Sequence, residues 1–316
     1  MDNSIRRTWL KGLVRVLVVA VALLASLWPA ESRAEPSTTG AWSAPVTLPG
    51  VSIHAALLPT GKILTFQWPA GGPGSAAWVL DPSTIGLSSV PVGANIFCSG
   101  HSFLWDGRLL VFGGHGAGDA AGIRDVHTFD PFTEQWTRVG ETAVGRWYPT
   151  SVSLGDGSVL VFGGSDEQGN VTPLVERYDP VSGIQVVPGA DRFVGVYPRM
   201  HLLSSGKVFD TGPQSLTGTF DPATVTWEVV GSSNYGYRSG GTSVLLPLNP
   251  PDYRPKVLIF GGGDPATDTA EIIDMADFFR KVWALGEAGI EVPLTILQGS
   301  QINLVTVLSG DRYNDL

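Results

Sequence analysis

The chain has 316 residues, with 20 Lys plus Arg against 29 Asp plus Glu and a formal net charge of -9 at pH 7. Its 40 glycines and 23 prolines, at only 16% charged residues, describe many short strands joined by tight turns rather than disorder, and so an all-β fold. An acidic surface repels phosphate backbones and anionic bilayers, which argues against nucleic acid and membrane surfaces as partners, and a single cysteine excludes an internal disulfide.

The first element reads as a leader. Arg6, Arg7, Lys11 and Arg15 precede and enter an apolar run from Val16 to Trp28, and Ser32, Arg33 and Ala34 give a small-x-small cleavage signature. The run is about 13 residues, too short for a bilayer, which needs roughly 20. Residues 1–34 are therefore expected to be an export signal. Arg6-Arg7-Thr8-Trp9-Leu10-Lys11 resembles the twin-arginine type, with a general secretory signal as the alternative. The mature chain would begin at Glu35, keep 15 basic against 27 acidic side chains, carry a charge of -12, and be secreted or periplasmic.

From about residue 45 the chain repeats itself. An Asp-Gly or similar turn is followed by an apolar strand that ends in glycine: Arg108 to Phe112 then Gly113-Gly114, Ser158 to Phe162 then Gly163-Gly164, Lys207 to Asp210 then Thr211-Gly212, and Lys256 to Phe260 then Gly261-Gly262. A second mark, an apolar residue before Asp-Pro, closes the units at Asp81-Pro82, Asp130-Pro131, Asp179-Pro180 and Asp221-Pro222. The fifth unit has Ile273-Asp274-Met275 there instead. These marks resemble the kelch repeat, in which a later tryptophan packs between blades. Trp136 and Trp227 stand at that position, and the third unit has Ile184 near it. One blade cannot bury both faces of its sheet, so residues 35–275 are expected to form a kelch-type β-propeller, apparently incomplete, with about five blades visible. Pro247 to Pro255 lengthens the connection between the first two strands of the fifth unit. Residues 276–316 form an irregular tail without kelch pattern, partly helical in spacing over Ala276 to Ala288 and strand-like over Ile290 to Leu308.

Cys98 lies eight residues before the turn at Asp106, and Tyr148 eight before the turn at Asp156. Equal phase in a repeat means an equal place on successive blades, so the two side chains are expected to meet where loops enter the inner strands. The flanking sequences, Asn95-Ile96-Phe97-Cys98-Ser99-Gly100-His101 and Gly145-Arg146-Trp147-Tyr148-Pro149-Thr150, resemble those of the copper radical oxidases, the family of galactose oxidase and glyoxal oxidase. The resemblance covers roughly residues 45 to 275. It implies a thioether between Cys98 and the ring of Tyr148, with Tyr148 as copper ligand and radical, in an enzyme that oxidises alcohols, aldehydes or carbohydrates with O2 to H2O2. The chemistry suits the residues. Removing two electrons from a substrate exceeds what one copper ion stores, and a sulfur-substituted phenol stores the second; copper also favours the phenolate.

Other residues at related positions read more plainly. Tyr197 lies eight residues before the turn at Ser205 and reads as a strand-entry tyrosine, while His101, His115 and His201 lack metal-ligand spacing and read as structural. Asn170-Val171-Thr172 matches a glycosylation acceptor that is expected to be empty.

Departures from the family pattern are as informative as the matches. The family's four copper ligands include a Tyr-His pair and a later histidine, whereas this sequence has no Tyr-His dipeptide and no histidine after His201. The tryptophan expected to stack on the cross-linked ring has no counterpart just after Gly163-Gly164, where Ser165 and Asp166 stand. These gaps predict a truncated product that does not hold copper by itself. The competing expectation is a non-catalytic propeller that binds carbohydrate or protein through exposed aromatics such as Trp68, Trp105 and Trp147.

Overall fold

Twenty-one short strands and no helix make up the described part of the chain, residues 44–250, 253–274, 291–298 and 301–308, in a computed structural model. The leader and the helically spaced stretch at 276–288 lie outside the described residues.

Four antiparallel sheets of four strands follow one another: β1 to β4 (His54–Ser89), β5 to β8 (Gly100–Glu141), β9 to β12 (Thr150–Val186) and β13 to β16 (Met200–Ser232). A fifth, three-stranded sheet holds β17 (Thr242–Leu245), β18 (Lys256–Phe260) and β19 (Ala270–Asp274). In every blade the strands pair in chain order. The first strands lie side by side from blade to blade, β5 (Gly100–Phe103) beside β9 (Thr150–Ser153) and β9 beside β13 (Met200–Leu202), while the fourth strands β8 (Gln135–Glu141) and β12 (Gly183–Val186) meet on the other side; the fourth strand of the next blade is β16 (Thr226–Ser232). This is the five-blade propeller arrangement that the repeats predict. The proline-rich insertion separates β17 from β18 as expected, and the strand-like tail forms one hairpin, β20 (Glu291–Gln298) with β21 (Gln301–Leu308).

Both turn marks act through their side chains. Asp106 and Asp156 each accept a hydrogen bond from the backbone N–H two residues on, at 3.1 and 3.0 Å, which folds the chain between the first two strands. Asp81, Asp130, Asp179 and Asp221 do the same between the third and fourth strands, at 2.8 to 2.9 Å. The diglycine has a different cause. Gly113 (φ 68°) and Gly163 (φ 61°) pass so close to the entry loop of the next blade that an added Cβ would lie 2.0 Å from the Arg146 carbonyl oxygen and 2.3 Å from that of Gly195.

Apolar cores fill the gaps between blades. Leu64, Phe66 and Ile96 pack with Leu109 and Phe129 between blades one and two; Phe112 and Val126 pack with Val159 and Val161 between two and three. Phe162 meets Phe220 between three and four, and Phe209 meets Ile259 between four and five. The two kelch tryptophans latch these joints. Trp136 donates its indole N–H to the Val90 carbonyl of the preceding blade, and Trp227 donates to that of Ala190, each at 2.8 Å.

Candidate functional site

Cys98, Tyr148 and Tyr197 each stand just before the inner strand of their blade, and all three adopt the left-handed backbone conformation, with φ of 66°, 58° and 43°. That conformation costs a side-chain-bearing residue about 1–2 kcal/mol, so three in register mark an imposed geometry. A ladder of backbone hydrogen bonds imposes it. The Tyr197 N–H donates to the Tyr148 carbonyl at 2.6 Å, the Tyr148 N–H to the Cys98 carbonyl at 2.8 Å, and the Cys98 N–H to Nε2 of His54 at 3.1 Å. The first strand of blade one thus anchors the series through a side chain.

The ladder brings the predicted pair together. The Cys98 thiol and the Tyr148 phenol lie close enough for each to act on the other's proton, with Cys98 2% exposed and Tyr148 half-buried. Burial pushes the thiol up to about 11, although the neighbouring Tyr148 phenol opposes it. Burial, and then the neighbouring Cys98 thiol, pushes the phenol up to about 12. At neutral pH the protein alone therefore holds a protonated thiol against a protonated phenol, and their joining requires an oxidant.

Aromatic rings enclose Tyr148. Trp147 stacks on it with centroids 3.6 Å apart and planes 12° from parallel, and Tyr197 stacks at 4.2 Å and 17°. Tyr197 also stands in the site: its side chain is 38% exposed, its hydroxyl donates to the Ser99 carbonyl at 3.4 Å, and the burial of the hydroxyl end raises its pKa. Trp147 also departs from expectation. It is not an exposed aromatic like Trp68 (47%) and Trp105 (78%), but lies half-buried against Tyr148, and its indole N–H donates to Nδ1 of His115 at 2.9 Å. Its backbone pairs in both directions with Ser165, at 2.8 Å, the residue that stands where the stacking tryptophan was sought.

Arg146 fixes this loop from below. It is fully buried, pairs with Glu176 at 2.6 Å, and donates to the carbonyls of Gly163 and Leu174. Glu176 in turn accepts the Ala143 N–H at 2.6 Å, so a satisfied ion pair ties the Trp147-Tyr148 segment to its own blade. The sequence shows Arg146 and Glu176 but not their pairing, which depends on a contact 30 residues apart.

Four of the five histidines already pack or hydrogen-bond with other groups. His101 packs its ring edge on His54 and Phe66, at 5.6 and 5.7 Å, and His201 shares a hydrogen bond with Ser243 at 2.6 Å. Nε2 of His54 and Nδ1 of His115 already accept hydrogen bonds. Among the described residues no group of three His, Cys, Asp or Glu side chains is placed to hold a metal ion. The donors around Tyr148 thus do not fit a copper ion with the family's ligand set.

A β-propeller that sets a cysteine beside an aromatic-stacked tyrosine at its inner-strand entries agrees with the pattern the galactose and glyoxal oxidase resemblance implies. The family model for the glyoxal oxidase N-terminus matches residues 75–278, and the chain belongs to this family. It is 28% identical over 200 residues to the aldehyde oxidase GLOX of Vitis pseudoreticulata, an alignment covering 58% of this chain and 36% of that protein. It is also 30% identical over 158 residues to a galactose oxidase of Gibberella zeae, covering 45% and 22%. The chain thus spans about a third or less of the curated relatives' length. The fold is similar to that of a fungal alcohol oxidase of the AA5 family solved in complex with copper, with a TM-score of 0.59 at 20% identity over 84% of this chain and 55% of that one.

Proposed function

We propose that this chain carries the sulfur–phenol half of a copper radical oxidase site, in an exported protein of a lineage that oxidises alcohols, aldehydes or sugars with O2 to give H2O2. The observation that carries the reading is the placement of the Cys98 thiol beside the Tyr148 phenol, set by the backbone bond from the Tyr148 N–H to the Cys98 carbonyl at 2.8 Å, in a family whose named members are oxidases. Tyr148 is the proposed catalytic residue and radical carrier, the one residue of the family's metal-ligand set that this chain retains, and Cys98 its covalent partner. Trp147 and Tyr197 cover the ring faces, where they exclude water from a radical and restrict the ring's rotation. Because the described donors do not amount to a copper site, no turnover step is assigned to a metal in this chain. Export to an oxidising compartment rests on the Arg6-Arg7 leader and suits a bond that forms by oxidation.

Cross-linking supplies the test. Incubating the full chain with Cu(II) salts and O2 is expected to join Sγ of Cys98 to a ring carbon of Tyr148; thiol and ring each give up one hydrogen atom, and O2 takes both to become H2O2. The intact mass then falls by two hydrogens, and Cys98 no longer reacts with an alkylating agent after denaturation. Cys98→Ser and Tyr148→Phe should each abolish the mass change. An unchanged mass with Cys98 still alkylated would overturn the reading.

A further inference from the structure

We propose that Trp68, His115 and Trp147 form a hole-transfer path through which a one-electron oxidant in solution oxidises Tyr148 without touching it. The path needs neither the thioether nor a metal, and so does not rest on the oxidase reading.

Geometry defines its links. Trp68 is 47% exposed and meets the His115 ring edge-on, with centroids 4.8 Å apart and planes at 71°. His115 accepts the Trp147 indole N–H at 2.9 Å, and Trp147 lies face to face with Tyr148 at 3.6 Å. Phe97 packs 5.2 Å from Trp68 and 6.4 Å from His115, which leaves an apolar ring that is hard to oxidise beside the route rather than within it. Indole and phenol are the side chains most readily oxidised by one electron, and the route joins two indoles to a phenol through van der Waals or hydrogen-bond contact. Trp136 and Trp227 place their N–H groups on backbone carbonyls, whereas Trp147 places its N–H on a basic ring nitrogen.

That hydrogen bond supplies the proton step. An indole radical cation is a strong acid, so oxidation of Trp147 is easiest when its N–H proton can leave at once, and Nδ1 of His115 is positioned to take it. In sequence, the oxidant removes an electron from Trp68. Trp147 refills Trp68 and passes its proton to His115, leaving a neutral indolyl radical and an imidazolium. Tyr148 then gives an electron to Trp147, which recovers its proton from His115, and the phenolic proton of Tyr148 passes to water. That proton leaves at the hydroxyl edge of the ring, which the two stacked rings do not cover, and the sum is one phenol oxidised to a phenoxyl radical, one oxidant reduced by one electron, and one proton released. His115 also borders an open cleft of about 580 Å³ with Asn95, Asp125 and Arg138, so this end of the route is solvated.

The test is flash photolysis of the metal-free full chain with a ruthenium polypyridyl photo-oxidant and a sacrificial electron acceptor, read by transient absorption and freeze-quench EPR. An indolyl signal is expected first, decaying into a tyrosyl signal that Tyr148→Phe removes. Trp147→Phe, which keeps a ring on Tyr148 but loses the oxidisable indole, should slow tyrosyl formation at least tenfold. Trp68→Phe, far from the fold's buried core, should do the same and guards against a misfolded Trp147 variant. A wild-type rate in both tryptophan variants, or a tyrosyl signal that survives Tyr148→Phe unchanged, would overturn the proposal.

Discussion

His54 accepts the Cys98 amide through Nε2, and burial, then His101, lowers its pKa from 6.5 to about 3. His201 is likewise lowered to about 4, by burial and then by Arg199. Between pH 6.5 and about 4 the unfolded chain protonates both imidazoles while the folded chain protonates neither, so each removes about 1.4 kcal/mol of stability per pH unit as pH falls. Asp210 acts in the opposite direction. Its carboxyl is fully enclosed, and burial pushes it from 3.8 up to about 7 despite Arg192 and Arg199, so the folded chain takes up a proton that the unfolded chain refuses until near 3.8. Its contribution grows as pH falls through the window in which the two histidines lose theirs. Asp210→Asn keeps the acceptor that Gly212 N–H uses and removes this counterweight. The loss of stability per pH unit should then steepen by about 1.4 kcal/mol relative to the wild type, as measured by urea unfolding at a series of pH values. Parallel curves for the variant and the wild type would show that Asp210 is ionised in the fold.

At the scale of strands and loops, the tryptophans in β8 and β16 make each blade's outer hairpin hold the blade before it. Trp227 packs on Phe162 and Phe220, lies under the Arg192 guanidinium at 4.5 Å, and donates to the carbonyl of fully buried Ala190. Trp227→Phe keeps much of the packing but leaves that carbonyl unpaired, an expected loss of about 1 kcal/mol, whereas Trp227→Ala should cost about 3 kcal/mol. Equal losses in urea unfolding would assign the whole effect to the hydrogen bond. This latch was legible in the sequence because its position relative to Asp-Pro is fixed by the turn, and turns are local. The meeting of Cys98 and Tyr148 was legible for the same reason: counting from Asp106 and Asp156 gives blade position. Trp147 was not, since its place depends on Tyr148 taking a positive φ, which turns the preceding ring onto its neighbour, and no local residue preference announces that. The Arg146–Glu176 pair and the His115 acceptor were hidden too, because each joins residues that only the assembled blades bring within reach.

For the molecule as a whole, each blade touches its sequence neighbours, and stability follows from blade-to-blade joints as in any repeat array. Among the described residues, blades two, three and four have an apolar core on both sides, while blades one and five have one each. The joints are unequal. Twelve buried residues form the core between blades one and two, but four form the core between blades four and five. Among the described residues blade five has three strands and leaves Val244, Phe260 and Ile272 between 37% and 56% exposed, whereas β6 (Leu109–Phe112) and β10 (Val159–Phe162) are buried at every position. Local opening frees amides in order of the apolar area each opening exposes, so amide hydrogen exchange should be fastest in β17 to β19 and slowest in β6 and β10. The site straddles blades two, three and four, and its backbone ladder should share their slow exchange at the Tyr148 and Tyr197 N–H groups. Protection in β18 equal to that in β10 would mean that a further surface covers blade five. Rapid exchange at the Tyr148 amide would mean that the left-handed ladder opens on its own, and a ring held by such a ladder cannot keep the fixed stacking distance on which both the cross-link and the electron route depend.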